Sequence, residues 1–152
     1  MKDLKVFLAA DNQISKIENL EKLRSLKEVD FSKNKISKID LNSFPSPNQI
    51  TLLKLEENHI KSLALLENLG KLQSLLLANN RVGEFTELER VADLPDLVEF
   101  SLVSNPIQRK QNYRFSVLKR MPQLIIFDGK EVPTEERKRV ELAGGGPSLF
   151  AQ

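Results

Sequence analysis

The sequence predicts an α/β fold. It is a right-handed solenoid with a parallel concave sheet of about six short strands, 3₁₀ and short helical segments on the convex side, and a helical C-terminal cap. Three observations predict it. An eleven-residue pattern with apolar first, fourth, sixth and eleventh places recurs along the chain. An asparagine holds the ninth place of each full copy, and the segment after each asparagine carries apolar residues three apart.

The clearest copy is LQSLLLANNRV, from Leu72 to Val82. The others are LKVFLAADNQI from Leu4, LKEVDFSKNKI from Leu26, ITLLKLEENHI from Ile50 and LVEFSLVSNPI from Leu97. A further start, LIIFDGKEV from Leu124, breaks off. The ninth-place asparagines, Asn12, Asn34, Asn58, Asn80 and Asn105, set a period of 22 to 25 residues, which is the signature of a leucine-rich repeat. Places 4 and 6 lie two apart and so share one face of a short strand, while places 3, 5 and 7 face the other way. The asparagine amide can satisfy backbone groups where the chain turns out of the strand. After it, Ile14, Ile17, Leu20 and Leu23, or Ile60, Leu63, Leu66 and Leu69, suit a 3₁₀ or short helical return with one face inward. One repeat cannot bury its apolar side alone, whereas stacked repeats share a continuous core.

The first repeat opens at Leu4, and because an uncapped solenoid end exposes core and a strand edge, the repeats are expected to continue upstream in a longer parent. Repeat two is enlarged around Phe44-Pro45-Ser46-Pro47, read as a stiff extended loop on the outer side. Repeat four has a longer return, Gly83 to Leu94, whose Phe85, Leu88 and Val91 suggest two helical turns. Beyond Asn105-Pro106, Asn112 is expected to cap a helix with Phe115, Val117, Leu118 and Met121 on its apolar face, ended by Pro122. Leu124, Ile126 and Phe127 supply a last strand, Asp128-Gly129 a turn, and Thr134 starts a charged helix stopped by glycines. The predicted organisation is five repeats over 1–105, a cap over 106–142 and a flexible tail over 143–152.

The run from Ser104 to Arg139 resembles the C-terminal cap of the 22-residue, intracellular class of leucine-rich repeat proteins. The matching residues are Asn105-Pro106, Tyr113-Arg114, Pro122, Asp128-Gly129 and Glu136-Arg137. Phe127 stands where many members carry leucine. Members of that class serve axonemal dynein, a spliceosomal ribonucleoprotein particle, a phosphatase, and ciliary and centrosomal assemblies. The resemblance therefore implies a protein-binding scaffold.

Composition narrows the setting. The net charge of +2 does not demand a polyanionic partner, and 40% hydrophobic residues is ordinary for a globular domain. With no cysteine, disulfide-bonded end caps are excluded, which favours a reducing, intracellular compartment. The apolar run Val6 to Ala10 is too short for a signal-peptide core, and no stretch approaches a membrane span.

Strand direction fixes the outward places. Place 3 gives Val6, Glu28, Leu52, Ser74, Glu99 and Ile126, and place 5 gives Leu8, Asp30, Lys54, Leu76, Ser101 and Asp128. Leu52 and Leu76, rimmed by Glu28, Asp30, Glu56, Glu57 and Glu99, read as a docking groove for a basic amphipathic helix or extended segment. The candidate protein-binding residues are Glu28, Asp30, Leu52, Lys54, Glu56, Ser74, Leu76, Glu99 and Ser101. A secondary basic patch comprises Arg109, Lys110, Arg114, Lys119 and Arg120. Acids interrupt it and it lacks an aromatic stacking platform, so direct nucleic-acid contact by the protein is not expected.

Chemistry is poorly provided for. His59 is the only histidine and follows the ladder residue Asn58, so the usual zinc sites and a Ser-His base pair are not available. The triple glycine follows a helix and is no phosphate loop. The sequence thus points to a non-enzymatic scaffold without cofactor or metal, binding a protein partner. It is expected to be monomeric unless its N-terminal edge pairs. A ciliary or cytoskeletal assembly in the cytoplasm leads, and a nuclear ribonucleoprotein subunit or a phosphatase-regulatory subunit is the alternative.

Overall fold

The computed structural model describes residues 3–145. Its strands are β1 (Val6–Leu8), β2 (Glu28–Asp30), β3 (Leu52–Lys54), β4 (Ser74–Leu76), β5 (Glu99–Ser101), β6 (Ile126–Phe127) and β7 (Lys130–Glu131). They form one sheet in chain order. The first six run parallel, with Val6, Glu28, Leu52, Ser74, Glu99 and Ile126 in one row. The seventh was not expected: it pairs antiparallel with β6 through the Asp128-Gly129 turn.

Each full strand is three residues long because the chain turns out of it at place 8. Asp11, Lys33, Glu57, Asn79 and Ser104 all hold positive φ, between 55° and 61°. An L-residue there costs roughly 1–2 kcal/mol. The cost is offset by hydrogen bonds that exist only between stacked repeats: Lys33 N–H donates to Glu56 O at 2.8 Å, and Asn79 N–H to Val103 O at 2.8 Å.

The asparagines then lock the turn. Nδ2 of Asn58 donates to Phe31 O, Leu55 O and Glu56 O, while its Oδ1 accepts from Ile36 N–H at 3.0 Å. Asn34, Asn80 and Asn105 repeat the arrangement, and each is buried. Asn12, in the first repeat, is exposed and bonds only Ala9 O and Ala10 O of its own turn.

Apolar places stack into columns. Leu26, Ile50, Leu72 and Leu97 fill the first, Val29, Leu53, Leu75 and Phe100 the second, and all are buried. Phe127 continues the second column, 6.4 Å from Phe100 between ring centres. Returns are 3₁₀ at Leu66–Asn68, Phe85–Arg90 and Pro106–Arg109, and bends and turns in repeats one and two. The two helical turns expected in repeat four are thus of the tighter kind, with Leu88 and Val91 buried. The loop at Phe44-Pro45-Ser46-Pro47 differs from its sequence reading in its first half: Phe44 and Pro45 are buried against the core, while Ser46 and Pro47 are exposed.

Two helices close the end: α1 (Tyr113–Arg120) and α2 (Thr134–Gly145). Asn112 starts α1 by backbone geometry, not by the expected side-chain cap. Its φ is 58°, and its carbonyl accepts Ser116 N–H at 2.8 Å. Residues 143–145, expected to begin a flexible tail, belong to α2; the rest of that tail, 146–152, lies outside the described residues.

Candidate protein-binding surface

Pleating and register bring the place-3 and place-5 side chains of all six parallel strands to one face. Glu28 is exposed there, while Asp30, Leu52, Lys54, Glu56, Ser74, Leu76 and Glu99 are half-buried. Leu52 pairs with Ser74 in register, and Lys54 with Leu76, so the two leucines sit diagonally on adjacent strands at mid-sheet. They are less open than their position suggests, because each stands between neighbours only one strand away, about 4.8 Å. Ser74 Oγ donates to Glu99 Oε1 at 2.8 Å, and Asp30 Oδ1 accepts from Ser32 N–H at 2.9 Å. These bonds hold both acids in place without neutralising them.

Ser101 departs from its expected role. It is buried, at 9% exposure, because its short side chain stands beside the longer Leu76 with which it pairs in register. Conversely, Val6 (42% exposed) and Leu8 (75%) give the first strand the most open apolar surface on this face. They were left out of the candidate set, although place numbering marks both as outward.

The cations proposed as a basic patch do not form one free surface. Arg114 grips Glu136 with two bonds, 2.6 and 2.8 Å, tying α1 to α2, and its guanidinium lies 5.7 Å from the Phe127 ring centre. Lys110 bonds Glu84 at 2.9 Å, and both Lys110 and Arg120 lie over Phe85. Lys119 lies over Phe115. Arg109 is exposed.

Around them runs a polar network that sequence reasoning missed in part. Tyr113 Oη donates to Asp128 Oδ2 at 2.7 Å, and Asp128 Oδ1 accepts from Leu102 N–H at 2.8 Å. Burial pushes both the Tyr113 phenol and the Asp128 carboxyl up. The hydrogen bonds from Arg114 hold the Glu136 carboxyl below its usual range. Arg137 donates to Leu118 O, Met121 O and Leu124 O, satisfying carbonyls at and just beyond the end of α1. Its only sequence signal is the late Glu-Arg of the cap resemblance. A cavity of about 300 Å³ lies beside this network, between Val103, Tyr113, Phe127 and Lys130.

His59 is half-buried, and no group of His, Asp or Glu that could hold a metal occurs among the described residues. No described helix is long and apolar enough to cross a membrane. What the arrangement offers is a partly apolar, acid-lined surface on strands held in register.

Comparison with known proteins agrees with this geometry. The U2 small nuclear ribonucleoprotein A' of Schizosaccharomyces pombe is 36% identical over 138 residues, covering 88% of this chain and 56% of that protein. The human protein of the same name is 33% identical over 132 residues, covering 85% and 51%. The chain spans about half the length of the curated relatives it matches. A solved chain of the Drosophila melanogaster SNF/U2A' complex superposes with a TM-score of 0.76 at 26% identity, over 91% of this chain and 80% of that one. An internalin of Listeria monocytogenes superposes with a TM-score of 0.57 at 27% identity, over 74% and 32%. These relatives lend no support to the ciliary or cytoskeletal setting. A family model described as leucine-rich repeat matches residues 3–143, and with the strands, ladder and columns above it shows that the chain belongs to the leucine-rich repeat family.

Proposed function

We propose that the chain is a non-enzymatic assembly subunit of a nuclear ribonucleoprotein particle, holding a protein partner on its concave face. The partner makes the main contact with RNA. The observation that carries this reading is the concave face itself: Leu52 and Leu76 at mid-sheet, with Glu28, Asp30, Glu56 and Glu99 around them on strands locked in register. Such a face suits a partner segment that carries apolar anchors flanked by Lys or Arg. The choice of a ribonucleoprotein over other scaffolds is supported by the U2 A' relatives, and by a solved relative that comes from a two-protein complex.

The test is a pull-down with cross-linking from nuclear extract, comparing wild type with Leu52→Arg/Leu76→Arg after circular dichroism has shown that both fold. Burying each leucine against a partner is worth on the order of 1.5–3 kcal/mol. Both leucines are already half-buried, so about half of that is gained on binding, and the double variant is expected to lose on the order of tenfold to a hundredfold in affinity. Wild type should retain an RNA-binding ribonucleoprotein subunit cross-linked through Lys54, and the folded double variant should not. Equal retention by both would refute the groove.

A further inference from the structure

The turn after each strand carries its tenth-place residue to the same point on the solenoid flank. Lys35 N–H donates to Ile14 O at 2.7 Å, His59 N–H to Ile36 O at 2.8 Å, and Arg81 N–H to Ile60 O at 2.8 Å. The backbone is therefore held in one register through three successive repeats, with one side chain per repeat at the roughly 5 Å spacing of neighbouring strands. Pro106 ends the row: it has no N–H, and the equivalent bond passes to Ile107 N–H and Val82 O.

Lys35 and Arg81 are exposed, and His59 is half-buried. Lys33 and Lys61 leave the same turns and are exposed, and Arg109 is exposed beyond Pro106. None of Lys33, Lys35, Lys61, Arg81 and Arg109 forms an ion pair among the described residues. The acids of these turns are Asp11, Glu56 and Glu57, of which Glu56 belongs to the concave face, and Glu84 is already held by Lys110. The flank is thus cationic where the concave face is acidic. Sequence inspection missed it because its members lie more than twenty residues apart and only stacking aligns them.

We propose that this flank binds the phosphodiester backbone of RNA directly. Exposed cations brought onto one flank suit a polyanion, and Arg81 can take a phosphate with two parallel N–H donors. Lys35 and Arg81 stand two strand spacings apart, roughly 10 Å, room for about two phosphate contacts. The choice of RNA over an acidic peptide rests on the ribonucleoprotein reading above. The site itself is separate from the groove and meets the expected basic patch only at Arg109.

The test uses the full chain and a fluorescein-labelled oligouridylate RNA, followed by anisotropy over a series of potassium chloride concentrations. With about 0.7 counterion released per single-strand phosphate, the two charged contacts of Lys35 and Arg81 give a slope of log K against log salt near −1.4. Lys35→Gln/Arg81→Gln should bring that slope close to zero, whereas Lys130→Gln/Lys138→Gln in the cap should leave it unchanged. A slope unaltered in the flank variant, no binding by the wild type, or equal binding of a polyglutamate of matching charge would overturn the proposal. Leu52→Asn/Leu76→Asn, which adds no charge, should keep the RNA slope while losing the protein partner. Failure of the groove and failure of the flank therefore give different results.

Discussion

Replacing Asn80 by alanine tests what holds the repeats together. Asn80 is 6% exposed; its Nδ2 donates to Leu55 O at 2.8 Å and Leu77 O at 3.0 Å, and its Oδ1 accepts Ile60 N–H at 2.9 Å. The carbonyls keep other donors after the change. Leu55 O retains Asn58 Nδ2 at 3.1 Å, and Leu77 O retains Asn105 Nδ2 at 2.8 Å. Ile60 N–H has no such reserve, and stranding a buried donor costs about 1–3 kcal/mol. With two further bonds lost at about 0.5–1.5 kcal/mol each, partly compensated, Asn80→Ala should destabilise by roughly 2–4 kcal/mol. Asn12→Ala is the control: it removes only bonds from an exposed side chain to its own turn, and Ala9 O keeps Asn34 Nδ2 at 3.0 Å, so its cost should stay below about 1 kcal/mol. Urea unfolding followed by far-UV circular dichroism measures both. At an m-value of about 1–3 kcal/mol/M, the Asn80 variant should unfold on the order of 1–2 M earlier. Equal losses at the two positions, or a loss below about 1 kcal/mol at Asn80, would refute the claim that inter-repeat bonding, not the local turn, is what the asparagine supplies.

Acid should act on the cap through two carboxyls of opposite sign. The Arg114 hydrogen bonds hold Glu136 low, so its stabilisation is present above the ordinary glutamate value of 4.5 and is lost as pH falls through its lower folded value. Burial holds Asp128 high, so its contribution is present below the ordinary aspartate value of 3.8 and is lost as pH rises through its folded value. Glu136→Gln should therefore flatten the loss of stability on acidification and Asp128→Asn should steepen it, measured by urea unfolding over a pH series; the reverse order would sink this account. Gly129 has φ of 81° with no atom within 4 Å of an added Cβ, so Gly129→Ala should cost about 1 kcal/mol from backbone strain alone. A calorimetric loss several times larger would show that Gly129 is needed for space instead.

Strand positions, their register and the asparagine ladder were legible in the chain itself. The reason is that a strand face repeats every two residues and a solenoid every twenty-odd, so Leu53, Leu75 and Asn80 announce their roles by spacing alone. Sequence also separated the inward columns from the outward rows that carry Leu52 and Leu76. Tertiary structure decided the rest. Positive φ at Lys33 and Glu57 is tolerated because the next repeat bonds their turns, and nothing local to either residue signals it. Arg114 and Lys110 read as free cations until folding brings Glu136 and Glu84 against them. Ser101 reads as exposed until its strand neighbours close over it. Lys35 and Arg81 become neighbours only when the repeats stack. In each case the deciding partner lies on another repeat or element, usually twenty or more residues away, and pattern within a repeat carries no information about side chains that meet across repeats.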